Sequence, residues 1–163
     1  MSTTPARLHR GLNGDPDQRA ATELLITAVD GVWLRKLDQW PEYLRPTEDP
    51  RRPGGLWIDW RTLREDLAAD DLAWQQFNVW AESSEGRRAT EDAYEDRMGE
   101  LVPRRPWHGA SGGELTVLRI AVELAPGGLL GDGMARLDDA NRAAVAAAFN
   151  TLVGGRFLDP ASP

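Results

Sequence analysis

The sequence predicts a mainly α fold: a compact helical domain with a buried central helix and room for a two-stranded β-ribbon. Three observations support this prediction. Apolar residues recur at helical spacing in several segments of the chain. A capping box at Ser111–Glu114 opens the most apolar of these segments. The stretches between them are rich in proline and glycine, which is typical of loops.

The N-terminal part of the chain combines a polar tail with one well-marked helix. We expect residues 1–14 to form a flexible tail because they are mostly polar. The Asp15–Pro16 pair supplies a helix cap and a first helical residue, so a helix is expected over Asp17–Asp30. Gly31 ends this helix. The following segment, Val32–Trp40, fits either a helix or the start of a strand.

The middle of the chain combines a loop, a short strand and charged helical segments. Four prolines and a Gly-Gly pair predict an extended surface loop over Pro41–Gly55. Leu56–Asp59 is expected to form a short strand that pairs with Val32–Leu34 as the β-ribbon. A helix follows, and a second short helix is expected to begin at the Asp70–Asp71 pair. Glu82–Met98 is dense in charge and forms either an exposed helix or a mobile insertion, and we expect the polar insertion as a whole to cover about residues 82–105.

Ser111–Ala125 is the most clearly marked helix of the sequence. In the predicted capping box the Ser111 hydroxyl accepts the amide of Glu114, and the Glu114 carboxylate accepts the amide of Ser111. Because this helix is apolar on two sides, we expect it to lie at the centre of the domain. Arg119 and Glu123 stand four residues apart on its polar edge and are spaced to form an ion pair.

The predicted core brings three helices together. Ser111–Ala125 is expected to pack against Asp17–Asp30 and against a final helix over Asp138–Val153. A length of 163 residues suits one hydrophobic core, and we assign residues 15–158 to a single helical domain.

Composition indicates a folded protein that has neither a membrane segment nor disulfides. Hydrophobic residues make up 41% of the chain and charged residues 28%. No apolar run approaches the roughly 20 residues that span a bilayer, and the N-terminus lacks the apolar centre of a signal peptide. The chain contains no cysteine, which excludes disulfides, thiolate metal sites and thiol nucleophiles. We therefore expect a cytoplasmic protein without a membrane partner.

The net charge of −7 narrows the choice of partners. Non-specific nucleic-acid binding requires a basic field, so no nucleic-acid partner is expected. Another protein, above all a basic one, is the partner that an acidic surface suits best, although acidity also serves solubility alone. The sequence leaves the oligomeric state open.

The turn formed by Ser111, Gly112 and Gly113 is a candidate anion-binding site, because free amides at a helix N-terminus attract phosphate. Together with Leu137–Asn141, this turn resembles the signature helix and D-loop of SMC/RecF-type ABC ATPases. The resemblance implies that the turn holds the γ-phosphate of a nucleotide bound by a partner subunit. The chain departs from that family because its only lysine, Lys36, lies outside any glycine-rich P-loop. A phosphate- or nucleotide-binding factor is therefore an alternative function.

A second resemblance covers more of the chain. Five segments, in their order along the sequence, are similar to a group of small actinobacterial proteins of uncharacterised function. This resemblance implies a bacterial cytoplasmic protein, a helical domain with a small strand pair, and an insertion over Glu82–Arg105 relative to the shorter members. It carries no catalytic residues to this chain. The segments are Ala21–Ile26, Trp33–Arg35, Leu56–Trp60, Ser111–Ala121 and Leu137–Asn141.

Two groups of residues are candidate partner-binding sites. The chain has seven tryptophans, most of which we expect in the core. Trp40 and Trp107 stand beside prolines and are the two that we expect at a protein interface. The second group is a carboxylate cluster at helical spacing, which is either a solvated face or a surface for a basic partner. Its members are Glu91, Asp92, Glu95 and Asp96.

The sequence contains no recognisable catalytic or metal-binding constellation. His9 and His108 have no partner at the spacing of metal ligands, so no metal and no cofactor are expected. Ser111 lacks the strand-turn-helix context of a nucleophile elbow. The leading hypothesis is a non-catalytic acidic protein-interaction module that acts as regulator, inhibitor or assembly subunit, and enzymatic activity stays an open question. A DNA-mimic inhibitor that uses residues 82–100 is a second alternative.

Overall fold

The computed structural model describes residues 4–130, which fold into six α-helices and one two-stranded antiparallel sheet. The prediction of a mainly α domain is confirmed. The predicted helix over Asp138–Val153 lies outside the described residues. The helices are α1 (Thr4–Gly11), α2 (Pro16–Thr27), α3 (Val32–Leu37), α4 (Trp60–Glu82), α5 (Glu91–Leu101) and α6 (Gly112–Leu124), and the strands are β1 (Leu44–Pro46) and β2 (Leu56–Ile58).

The start of the chain is the first correction to the sequence prediction. Residues 1–14 were expected to be a flexible tail, but Thr4–Gly11 forms α1 and the Leu8 side chain is only 1% exposed. The helix can pack closely on β2 because Gly11 has no side chain. A Cβ at that position would lie 1.8 Å from the carbonyl oxygen of Leu56. The buried leucine and the close approach at Gly11 therefore hold this polar segment, together with hydrogen bonds from Arg7 and Arg10 to backbone oxygens of Gly54 and Pro53.

The second helix begins as predicted and ends slightly early. The Asp15 carboxylate accepts hydrogen bonds from the amides of Asp17 and Gln18, at 2.9 and 3.2 Å. This cap satisfies two amides that the first helical turn leaves unpaired. After Thr27 the chain makes one 3₁₀ turn and Gly31 adopts a positive φ of 67°. The ambiguous segment that follows becomes helix α3.

The β-ribbon exists, but its second strand is not the predicted one. Leu56–Ile58 pairs antiparallel with Leu44–Pro46, in the register Leu44 opposite Ile58. Val32–Leu34, the expected partner, belongs to α3 instead. Leu44 lies inside the region predicted as a proline-rich loop. Pro46 is tolerated because it stands at the end of a three-residue edge strand.

Helix α4 is one continuous helix of 23 residues, whereas a break was predicted at Asp70–Asp71. Neither aspartate caps a helix. The Asp70 carboxylate contacts Trp107 and His108, and Asp71 forms an ion pair with Arg119. Both side chains bind distant parts of the chain and neither accepts a backbone amide as a helix cap would. The helix is therefore continuous through this pair.

Helix α6 starts with the predicted capping box and is buried along one face. The Ser111 hydroxyl accepts the Glu114 amide at 3.2 Å, and a Glu114 carboxylate oxygen accepts the Ser111 amide at 2.7 Å. Leu118 is fully buried where α6 packs on α2. The predicted Arg119–Glu123 ion pair is not formed, because Arg119 pairs with Asp71 of α4 while the Glu123 carboxylate accepts the amide of residue 129.

The core joins α2, α3, α4 and α6 with the β-ribbon. Trp33 and Tyr43 are its largest fully buried side chains. Trp33 satisfies its indole N–H by donating to the backbone oxygen of Glu114 at 2.9 Å. This bond ties α3 to the first turn of α6, so two helices that are 81 positions apart along the chain are fixed to each other.

Candidate functional site

Residues 83–101, which we call the acidic arm, extend from the end of α4 and contain α5. None of the residues of α5 is buried. The arm's four predicted partner-binding carboxylates, on Glu91, Asp92, Glu95 and Asp96, are all exposed, and no ion pair joins them to another described residue. The helix itself is well built, because the Thr90 hydroxyl accepts the amide of Ala93 at 3.3 Å. The arm is therefore an ordered, charged projection.

An aromatic cluster holds the arm against α4. The Tyr94 ring lies edge-on to Phe77, with 5.0 Å between the ring centroids, and 5.7 Å from the ring of Trp80. Phe77 is only 2% exposed, whereas Tyr94 is 39% exposed. Because aromatic contacts of this geometry favour a defined orientation, the cluster fixes the outward direction of the α5 carboxylates.

The chain leaving the arm is fixed to α4 through Asp66. Arg105 donates to both carboxylate oxygens of Asp66, at 2.7 and 2.9 Å, which is the bidentate geometry of a strong charge-assisted pair. The Tyr43 hydroxyl also donates to Asp66, at 2.7 Å. Burial raises the pKa of Tyr43 above its ordinary value, and the adjacent Asp66 carboxylate raises it further.

Asp70, one turn further along α4, fixes two more residues of the same segment. It accepts the indole N–H of Trp107 at 2.8 Å and contacts Nε2 of His108 at 2.9 Å. The His108 ring also stands edge-on to Trp74. We call the contacts of Asp66 and Asp70 with residues 105–108 the carboxylate clamp. The carboxylate clamp fixes the segment that follows the acidic arm to α4.

The two tryptophans predicted at an interface have different environments. Trp107 is only 4% exposed and its N–H is bound to Asp70, so its side chain is not available to a partner protein. Trp40 is half-buried, packs against the core and lies 6.4 Å from the ring of Tyr43.

The predicted anion-binding turn already carries an anion of its own. The Glu114 carboxylate holds the Ser111 amide, and the Ser111 hydroxyl holds the Glu114 amide. Gly112 and Gly113 are exposed, and no other group lies within 4 Å of the place where a side chain would begin. This geometry is that of a well-capped helix, and it does not favour phosphate binding at the turn.

Sequence reasoning missed the carboxylate clamp entirely. The sequence indicated only that His108 has no partner at the spacing of metal ligands, and it gave no sign of the contact with Asp70. A usable signal was present in α4, where Asp66 and Asp70 share the helix face of the buried residues Leu63 and Leu67. A carboxylate on an apolar stripe requires a buried partner, and Arg105 is that partner for Asp66.

Two kinds of feature are not found in the described part of the chain. Within residues 4–130 no three histidine or acidic side chains converge as metal ligands would. No helix in the same range combines the length and apolar character needed to cross a membrane.

No family model, curated protein or solved structure matches this chain.

Proposed function

We propose that this protein is a non-catalytic interaction module whose acidic arm binds a basic segment of another protein. One contrast carries the proposal. The aspartates of α4 at positions 66, 70 and 71 are all bound to distant side chains. The carboxylates of α5 at positions 91, 92, 95 and 96 have no such partner among the described residues. Basic side chains of another protein would supply the partners that these four carboxylates lack.

The spacing of the four carboxylates adds a physical reason. Glu91 and Glu95, like Asp92 and Asp96, stand four positions apart on one helix. Like charges at this spacing repel and weaken a helix. A helix that keeps two such pairs gains stability when cations bind them, which favours a basic partner over a neutral one.

A cleft beside the helix can receive a partner's side chain. It has a volume of about 830 Å³ and opens between the end of α4 and α5. The half-buried Trp80 lines it together with Glu85, Asp96 and the exposed Arg88, and Arg97 is paired with Glu100 at 2.8 Å. A lysine or arginine from a partner would find an aromatic face and carboxylates there, which is the usual setting of a cation–π contact.

The arm is also presented in a fixed orientation. The aromatic cluster holds one side of α5, and the carboxylate clamp holds the chain that leaves it. A preorganised charged surface loses little conformational entropy on binding. The net charge of −7 would also speed the encounter with a basic protein. A nucleic-acid-binding protein belongs to this class of partners, and a DNA-mimic inhibitor is the corresponding special case.

The role within the cell is part of the same proposal. We place the module in the bacterial cytoplasm because the sequence resembles actinobacterial proteins. There it would regulate, inhibit or help to assemble the basic protein that it binds. No residue of the clamp or the arm is assigned a catalytic step.

A pair of charge-neutralising double variants tests the proposal. E95Q/D96N removes two arm charges, and E42Q/E48Q removes two exposed charges elsewhere on the surface. Each tagged protein is used to capture partners from an actinobacterial lysate, and the affinity for any captured protein is then measured over a range of salt concentrations. We expect a basic protein to bind wild type and E42Q/E48Q alike, and E95Q/D96N at least tenfold more weakly.

The salt dependence and the control decide the outcome. Affinity that falls steeply with salt supports an electrostatic contact, because exposed charges are screened at distances beyond about 10 Å in 0.1 M salt. Equal binding by both double variants would show that the arm is not the contact surface. The absence of any specifically captured protein would count against an interaction module as a whole.

A further inference from the structure

Two arginines of α1 form a local basic surface on a chain whose net charge is −7. Arg7 and Arg10 stand three positions apart on the helix, so their side chains are neighbours on its surface. Nε of Arg7 donates to the backbone oxygen of Gly54 at 3.1 Å, and Nη1 of Arg10 donates to that of Pro53 at 3.3 Å. Two consecutive carbonyl groups therefore hold these two guanidinium groups, which we call the arginine pair.

A tight turn presents the two carbonyl groups to α1. The amide of Gly55 donates to the backbone oxygen of Arg52 at 3.0 Å, and Pro53 and Gly54 lie between them. Gly54 has a φ of 70°, as the third residue of a type II turn requires, and proline suits the position before it. Arg52 also donates to the backbone oxygen of Gly11 at 3.2 Å. The turn and the end of α1 are thus fixed to each other, which preorganises the arginine pair.

The arginine pair keeps most of its hydrogen-bonding capacity. A guanidinium group has five N–H donors, of which Arg7 and Arg10 each give one to the turn. Arg10 is exposed and Arg7 half-buried, so a partner can reach both. Among residues 4–130 neither forms an ion pair, and the nearby Asp49 is already paired with Arg52. Neighbouring positive charges repel each other, so carboxylates from outside the chain would stabilise this surface.

The acidic arm carries carboxylates at a matching spacing. Glu91 and Glu95, like Asp92 and Asp96, stand four positions apart on α5. Residues three or four positions apart on a helix have Cβ atoms about 5–6 Å from each other, so the spacing on α5 matches that of the arginine pair on α1. We propose that the arginine pair of one copy binds the α5 carboxylates of a second copy of this chain. The inference rests on the proposed function, because it names a second copy as a partner of the acidic arm.

The contact joins two different surfaces and is therefore heterologous. Each copy can bind one neighbour through its arm and another through its arginine pair, which produces chains or closed rings. A guanidinium group can form two parallel hydrogen bonds with a carboxylate, which gives such a contact a defined orientation. In about 0.1 M salt, repulsion between two acidic copies is screened beyond about 10 Å, whereas ion pairs in direct contact persist.

Sedimentation velocity measures the self-association of the full chain over a range of protein concentrations. R7Q/R10Q removes the arginine pair, and R19Q/R104Q removes two exposed arginines elsewhere, so the two variants have the same net charge. In about 0.1 M salt we expect wild type and R19Q/R104Q to self-associate alike, and R7Q/R10Q at least tenfold more weakly. In about 1 M salt all three should be monomeric, because the ion pairs are then screened.

Mixing two variants tests whether these two surfaces bind each other. E95Q/D96N lacks two carboxylates of the arm but keeps the arginine pair, whereas R7Q/R10Q keeps the arm. Each variant alone should associate weakly. An equimolar mixture should form one-to-one complexes with at least tenfold higher affinity than either variant shows alone. A mixture that stays monomeric would overturn the inference.

Two controls separate failure of this inference from failure of the proposed function. The unfolding temperature shows whether R7Q/R10Q is folded, and if it is not, R10Q alone takes its place. Monomeric wild type, or a folded arginine variant that associates as wild type does, would overturn the inference. The proposed function would then still stand, since the arm could bind a basic protein of another sequence. Equal capture of a basic protein by wild type and E95Q/D96N would contradict both.

Discussion

Asp70 accepts a hydrogen bond from the indole N–H of Trp107 at 2.8 Å, although the two residues are 37 positions apart in the sequence. The other oxygen of the same carboxylate contacts His108. The segment that follows the acidic arm is thus fixed to α4 by one carboxylate that is nearly buried. The orientation of the arm depends on a core contact as much as on the arm itself.

Removing this carboxylate should destabilise the fold. The D70A variant leaves the Trp107 N–H buried without an acceptor, and hydrogen bonds to charged groups contribute about 1.5–3 kcal/mol. The neighbouring D71A variant is the control, since it removes an ion pair whose two side chains are almost half exposed. We expect D70A to lower the free energy of unfolding by about 2 kcal/mol and D71A by less than about 1 kcal/mol. Urea denaturation of both variants measures this, and equal losses would contradict the role given to Asp70.

The buried hydroxyl of Tyr43 makes stability depend on high pH. Burial, followed by the hydrogen bond to Asp66, raises the pKa of Tyr43 in the folded state above the ordinary value of 10.0. The unfolded chain therefore loses this proton first as the pH rises, and the folded state becomes less stable above about pH 10. The contribution of Tyr43 is fully present below that pH. Its loss amounts to at most about 1.4 kcal/mol per pH unit.

The Y43F variant isolates this effect. At neutral pH it lacks two hydrogen bonds, the one that the Tyr43 hydroxyl donates to Asp66 and the one that it accepts from Arg105 at 3.2 Å, and should be about 1–2 kcal/mol less stable than wild type. Above about pH 10 the difference should shrink, because only wild type carries the titrating group. Unfolding by urea from neutral pH to about pH 11 follows the two proteins. Parallel curves over this whole range would show that Tyr43 does not link stability to pH.

Local signals explain which parts of the fold were predictable. The caps at Asp15 and Ser111 act within one helical turn, and the structure contains both. The start of α4 at Asp59 is equally local, because its carboxylate accepts the amide of Thr62 at 3.1 Å. Sequence patterns report such short-range contacts directly.

Contacts between distant segments explain the errors. The two adjacent aspartates of α4 are of the residue type that often caps helices. In the structure they bind Trp107 and Arg119, which lie far along the chain. The same holds for the β-ribbon, in which Leu44 rather than α3 pairs with β2. The acidic face of α5 could be identified because it needs no distant partner. The clamp that orients it could not, since its residues are separated by more than thirty positions.

The capping box of α6 should contribute measurably to stability. In the S111A variant the amide of Glu114 loses its acceptor at the helix start. Loss of such a cap costs about 1 kcal/mol. S84A, which alters an exposed serine of the arm, is expected to change the free energy of unfolding by less than about 0.5 kcal/mol. A neutral effect of S111A in urea denaturation would show that the box is not formed in solution.

The same box bears on phosphate binding. The Ser111 amide already donates a hydrogen bond to the Glu114 carboxylate. An added anion would therefore find this amide paired and would be repelled by the negative charge of Glu114. We expect calorimetric titrations of wild type with ATP and with inorganic phosphate to give no binding heat, and S111R to behave in the same way. Saturable binding to wild type that S111R abolishes would restore the nucleotide-binding alternative.

Two glycine-to-alanine variants test whether α1 belongs to the fold. An alanine Cβ at position 11 would lie 1.8 Å from the Leu56 carbonyl oxygen, so G11A must push α1 away from β2. We expect a loss of about 1–3 kcal/mol in the free energy of unfolding, as in overpacked cores. At Gly99, within α5, an added Cβ meets nothing within 4 Å, and G99A should gain about 0.5–1 kcal/mol. Both substitutions restrict the unfolded chain in the same way, so the difference between them reports the packing of the folded state. If the first residues were a flexible tail, G11A would have no effect, and urea denaturation of the two variants separates these outcomes.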